Sequence, residues 1–166
     1  MELTYGNITG IALLLLTGLS AGLCFTWANA ITPGIGRMDD LSFLRAFQNM
    51  NRTIVNPLFI IVFFGPFFLS PLHLYTLKNV SSEVTLLLIF AAVCYIGGVV
   101  LVTIFGNVPL NNILDKTDLS ALSRENLKTL RASFEDRWNR LHLIRTVTAI
   151  ISFLTLIITV SQSTKQ

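Results

Sequence analysis

Charged residues are missing from four long stretches of this chain. No Asp, Glu, Lys or Arg occurs from Leu3 to Gly36, from Thr53 to Leu77, from Val84 to Leu114, or from Thr146 to Thr164. Each gap holds a helix of ~20 residues, the length that crosses ~30 Å of hydrocarbon. The pattern predicts membrane spans near Ile8–Ala28, Ile54–Leu74, Val84–Phe105 and Leu143–Val160. The expected fold is an all-α membrane protein, a four-transmembrane-helix bundle forming one domain over residues 1–166. A cleaved signal peptide is the rival for the first segment, and Ala28-Asn29-Ala30 resembles a cleavage site. The extreme N-terminus carries Glu2 and no basic residue, and the apolar run exceeds the usual length, so a retained span is expected.

Polar residues between the gaps are patterned. Arg45, Gln48, Asn49, Arg52 and Asn56 fall at i, i+3, i+4, i+7 and i+11, one face of a helix running into the second span. Arg45 and Gln48 read as a solvated face, whereas Arg52 and Asn56 lie deepest. Pro57, Pro66 and Pro71 are expected to kink this helix. Gly18 and Gly22 in the first span, and Gly97-Gly98 in the third, mark close helix packing. Trp27 sits where the first span leaves the membrane, and Pro33-Gly34 signals its end. Thr117 to Arg140 reads as an amphipathic helix between spans three and four, burying Leu127, Leu130, Phe134, Trp138 and Leu141. The third span ends in Gly106-Asn107-Val108-Pro109-Leu110-Asn111-Asn112. Amides without partners in hydrocarbon cost several kcal/mol, so such a cluster must face protein, water or ligand.

Composition agrees with the span reading, since 52% of residues are hydrophobic and only 13% charged. Ten of the twelve Lys and Arg residues fall in the segments between spans one and two and between spans three and four; Lys78 and Lys165 lie on the other side. The positive-inside bias places the basic loops in the cytoplasm and both termini outside, in a multi-pass protein of a cytoplasmic-type membrane. The net charge of +3 is then explained by span-flanking residues and calls for no nucleic acid. Cys24 and Cys94 lie in apolar spans and are expected as free, inert thiols.

Chain direction brings Arg52 and Asn56, the asparagine cluster, and His142 with Arg145 to one end of the bundle. These long side chains are expected to converge in a pocket just inside the membrane. His73 falls about twenty residues beyond Thr53, near the other surface, so it cannot share one haem iron with His142.

The pattern Asn51-Arg52…Asn56-Pro57, Val102-Thr103…Gly106–Asn112 and Arg137-Trp138…Arg145-Thr146 resembles the family of small four-helix membrane proteins that includes the fungal anthrone oxygenases. Ala21-Gly22-Leu23 and Pro33-Gly34 extend the likeness to nearly the whole chain. One departure stands near the last motif: the family's Asn-His pair is occupied here by His142-Leu143, and Leu141 takes the place of a second Trp. The resemblance implies oxidation of an anthrone- or quinol-like aromatic by O2 with no cofactor and no metal. A base removes a proton, and donors hold the resulting oxyanion in a dry cavity. His142 is the base candidate, with Arg52 and Arg145 stabilising the anion. Asn56, Asn107, Asn111, Asn112 and Trp138 are the substrate-binding candidates.

A non-catalytic interaction or assembly module is the main alternative, because Asn, Arg and His at helix ends also cross-link helices. A transporter is disfavoured by a single short bundle with no visible inverted repeat. The expected partners are the lipid bilayer and a hydrophobic aromatic small molecule, with self-association into a homo-oligomer as a further option.

Overall fold

The computed structural model describes residues 4–77 and 80–163. Glu2, Lys78 and Lys165, which entered the sequence reading, lie outside the described residues. Among the described residues the chain is helices and short turns, with no strand. In chain order these are α1 (Tyr5–Ile35), α2 (Asp40–Ile54), α3 (Pro57–Thr76), α4 (Ser82–Lys116) and α5 (Arg124–Ser163). All but α2 are long and apolar enough to cross a membrane, and the protein is a multi-pass integral membrane protein.

The spans run alternately up and down. α1 packs on α3 and α5, and α4 packs on α5. The face of α1 turned to its neighbours is Leu13, Thr17, Ser20, Ala21 and Cys24, a helical i, i+4, i+7, i+8, i+11 series. Leu15, Leu19 and Leu23 stay exposed, as residues meeting lipid should. At mid-bundle the buried Tyr95 hydroxyl lies 2.7 Å from Ser20 Oγ and 2.8 Å from the Phe63 carbonyl, joining α4, α1 and α3. Of the glycine pairs, one member each is packed: a Cβ on Gly18 would meet the Phe153 ring at 2.7 Å and one on Gly98 would meet Thr148 at 2.4 Å. Gly22 and Gly97 face open space.

The structure corrects four local expectations. Pro33-Gly34 does not end the first helix, which runs on to Ile35. A π turn over Trp27–Ile31 shifts the hydrogen-bond ladder, and Pro33 occupies the first turn of the segment that resumes after it. A missing N–H costs little there. The polar face from Arg45 to Asn56 is not one helix either. The chain breaks at Val55, and Asn56 caps α3 by accepting from the Phe59 N–H at 3.0 Å, with Pro57 at the first position. Pro66 and Pro71 sit within a continuous α3. Gln48 is buried rather than solvated, and donates to the Leu114 and Thr117 carbonyls at 2.7 and 3.0 Å, closing the end of α4. The amphipathic stretch begins at Arg124 and is continuous with the fourth span.

This first half of α5 and α2 form a second core beyond the end of the spans. Phe43, Leu44 and Phe47 pack against Leu110, Leu114, Leu127, Phe134 and Trp138. Asp39 caps α2 by accepting from the Ser42 N–H. Hydrogen bonds from Ser42 hold its carboxyl below the usual carboxylate range, so its contribution is full at neutral pH and lost as pH falls through that lowered value. Arg131 ties the turn down: its guanidinium donates to the Gly36 and Met38 carbonyls at 2.7 and 2.8 Å and pairs with Asp40 and Glu135 at 3.1 and 2.7 Å. Arg131→Ala leaves these carbonyls and carboxylates without their donor. It is expected to cost ~2–4 kcal/mol in detergent-solubilised protein, read by thermal unfolding.

Candidate functional site

α5 presents Trp138, His142, Arg145 and Thr146 at i, i+4, i+7 and i+8, so all four share one face, and all are buried. Trp138 stacks on His142 with centroids 4.9 Å apart, and the Arg145 guanidinium lies 5.2 Å from the centroid of the Trp138 ring. Arg145 Nη2 is 2.7 Å from His142 Nδ1. A guanidinium can only donate, so Nδ1 accepts. The imidazole hydrogen is then on Nε2, which donates to the Cys24 carbonyl at 3.0 Å. These partners assign His142 as the neutral Nε2–H tautomer. Arg145 Nη1 donates to Thr103 Oγ1 at 3.2 Å.

π turns bracket these contacts. Trp27–Ile31 follows Cys24 on α1, while Ile96–Leu101 and Thr103–Asn107 lie on α4. Each turn moves the following residues off the regular α phase, a device common at functional sites. At the end of the last of them and one turn beyond, Asn107 and Asn111 point to α5. Asn107 is 1% exposed and donates through Nδ2 to the Trp138 carbonyl at 3.3 Å, leaving Oδ1 unpartnered. Asn111 Oδ1 accepts from Trp138 Nε1 at 2.8 Å.

Between these helices lies a cavity of about 150 Å3. Its polar lining includes Trp27, Asn51, Asn111, His142 and Arg145, and Phe59 and Phe63 add apolar walls. Three of these residues carry a buried donor without a partner: Trp27 Nε1, Asn51 Nδ2 and Arg145 Nε. Buried polar groups are rarely left so, and each costs ~1–3 kcal/mol. The charge is equally uncompensated. Arg145 is 8% exposed, yet the ion pairs among the described residues are Arg52–Asp115, Arg131–Asp40 and Arg131–Glu135. Among the described residues, no carboxylate lines the cavity. A buried cation is ordinarily paired.

The expected convergence is thus partial. Asn107, Asn111, Trp138, His142 and Arg145 come together. Arg52, Asn56 and Asn112 do not: all three are exposed. Arg52 pairs with Asp115 at 2.6 Å in a polar groove beside Arg45 and Gln48, with the two side chains 58% and 46% exposed. Its neighbour Asn51 faces the cavity instead, one turn beyond Phe47 and Gln48 on the buried face of α2. Trp27 and Asn51 were missed as site residues. The sequence signal for Asn51 was its place in the Asn51-Arg52 motif; Trp27 looked like any interfacial ring. His73 lies at the other end of the bundle, its Nδ1 3.0 Å from Thr9 Oγ1. Among the described residues, no three His, Cys, Asp or Glu side chains cluster as metal ligands would.

No curated protein and no solved structure matches the chain. The family model described as anthrone oxygenase matches residues 43–155, from α2 through most of α5. That span holds Asn51, Asn107, Asn111, Trp138, His142 and Arg145, leaving only the α1 wall of the cavity outside the match. Covering well over half of the chain, the match places this protein in the anthrone oxygenase family.

Proposed function

We propose that the protein oxidises a membrane-dissolved anthrone- or quinol-like aromatic with O2, holding it as its oxyanion beside Arg145. The observation that carries this reading is the buried, acid-free guanidinium flanked by unpartnered donors at one cavity. Such preorganised donors stabilise charge that develops during reaction. Both nitrogens of His142 are engaged, so it acts as a base only when Arg145 releases Nδ1. An arriving substrate oxygen supplies the reason: the guanidinium shifts to the oxygen, and the freed Nδ1 takes the proton from the adjacent carbon. The resulting enolate carbon bonds to O2 and forms a peroxide, which His142 protonates. Loss of water, with cleavage of O–O and of the remaining C–H, leaves a carbonyl. For an anthrone the balance is CH2 plus O2 to C=O plus water; a hydroquinone anion instead gives two electrons and two protons to O2, leaving a quinone and H2O2, with no cofactor required in either case.

The positive-inside bias puts this end of the bundle, with the basic loops, on the cytoplasmic side. A structural role is favoured by one set of contacts, namely the bonds from Asn107, Asn111 and His142 that join α4 and α1 to α5. Oxygen uptake by purified protein separates the two. With anthrone and with single-ring hydroquinones, consumption above that of heat-denatured protein is expected. Uptake no faster than the denatured control for every substrate would leave the assembly role standing.

A further inference from the structure

Taking the cavity as a ligand site, as proposed above, we infer that it is loaded sideways from the bilayer, through an apolar mouth formed by Leu23, Val55 and Val108. The lining sorts by exposure. These three residues stand 45%, 68% and 39% exposed. Every polar side chain of the lining is buried or half-buried. The three come from α1, from the break between α2 and α3, and from α4, so the opening lies between helices, on the side of the bundle. Leu58 and Phe105, close by in sequence, are exposed apolar side chains too. No charged residue occurs from Thr53 to Leu77 or from Val84 to Leu114. This is surface that meets hydrocarbon.

Along the bundle axis the cavity is shut. Toward mid-bundle its floor is Ser20 and Phe63, both held by the Tyr95 hydroxyl at 2.7 and 2.8 Å. Toward the basic loops, Trp27 and Trp138 face Phe47 of the second core. Their ring centroids lie 6.3 and 4.8 Å from it and 6.0 Å from each other. A ligand arriving from water would have to part these rings. One arriving from the bilayer meets only the side chains of Leu23, Val55 and Val108. The mouth also lies near the end of the spans, the depth at which amphipathic rings settle in a bilayer. A ring entering there brings its oxygen toward the unpartnered donors of Trp27, Asn51 and Arg145.

A mouth residue alters the barrier to entry and to exit alike, since it changes neither the free nor the bound state. Both tryptophans of the chain, Trp27 and Trp138, line the cavity, so a ring bound there quenches them saturably. The test uses full-length protein in phosphatidylcholine vesicles, with tetramethyl-1,4-benzoquinone dissolved in the lipid and exchange followed by stopped-flow fluorescence. Val55→Phe with Val108→Phe is expected to slow association and dissociation by the same factor, about tenfold, with Kd unchanged. Val55→Ala with Val108→Ala is expected to slow neither. A bimane on Val55→Cys, in a Cys94→Ala background, should be quenched by nitroxide-bearing lipid more than by iodide in water. Unchanged rates in the phenylalanine pair, a Kd that shifts as far as the association rate, or stronger quenching by iodide would overturn the entry route and leave the ligand site intact. Tryptophans quenched by neither this quinone nor anthrone would overturn the ligand site itself.

Discussion

Arg145→Ala is expected to abolish oxygen-dependent turnover, by at least ~10²–10³-fold, without unfolding the bundle. The two halves of this expectation have one cause. Arg145 is a buried cation at the cavity, and among the described residues no acidic side chain compensates it. Replacing it removes the charge that would hold a substrate oxyanion. It also removes a desolvated, unpaired guanidinium, whose burial the fold otherwise bears. Its bonds to Thr103 Oγ1 and His142 Nδ1 and its contact with the Trp138 ring are lost in exchange. The thermal midpoint in detergent should therefore stay close to that of the parent. Arg145→Lys should rescue little, because one ammonium cannot bond Thr103, His142 and a ligand in the fixed geometry of the guanidinium fork. Normal turnover in Arg145→Ala would remove the site assignment.

Gly98→Val is expected to have the largest effect on stability. A Cβ at this position would lie 2.4 Å from the Cβ, Cγ2 and Oγ1 of Thr148. Thr148 is β-branched and stiff, and its Cβ moves only with the backbone of α5, so α4 and α5 must separate. Overpacking of this kind costs ~3 kcal/mol or more. The same separation would open the contact between Thr103 and Arg145, one to two turns along. Thermal unfolding should show a large loss in Gly98→Val, and a milder one in Gly98→Ala combined with Thr148→Gly, where the obstructing Cβ is gone. An unchanged midpoint in Gly98→Val would mean that the two helices are not packed as described.

Much of the fold was legible because it depends on long-range averages. A charge-free stretch of twenty residues reads as a span whatever its neighbours do, and the stripe from Leu127 to Trp138 announces its buried face. The site was less legible because it depends on phase. His142 and Arg145 are placed by a regular α-helix, and their convergence follows from spacing alone. Asn56 was misplaced by continuing helical periodicity through Val55, where the chain breaks and Asn56 turns to cap α3, and Arg52 lies on the α2 face that meets Asp115. Trp27 was hidden for the opposite reason. The π turn beginning at Trp27 carries the helix past Pro33, and nothing in the composition of Trp27-Ala28-Asn29-Ala30-Ile31 distinguishes it from an ordinary helical end. Gln48 illustrates a third limit. Its partners are backbone carbonyls more than sixty residues away in sequence, at the end of α4. The Gly106–Asn112 cluster proved to be a pair of inward amides, Asn107 and Asn111, with Asn112 outside.

Stabilisation of an oxygen anion in the cavity is central to the proposed reaction, and a chromogenic single-ring phenol measures it directly. 4-Nitrophenol is coloured only as its anion. Titrated against excess purified protein across neutral pH, bound 4-nitrophenol is expected to ionise at least about one pH unit below the free phenol. That shift should vanish in Arg145→Ala. A bound phenol that ionises at the same pH as in solution, or at a higher one, would contradict the account.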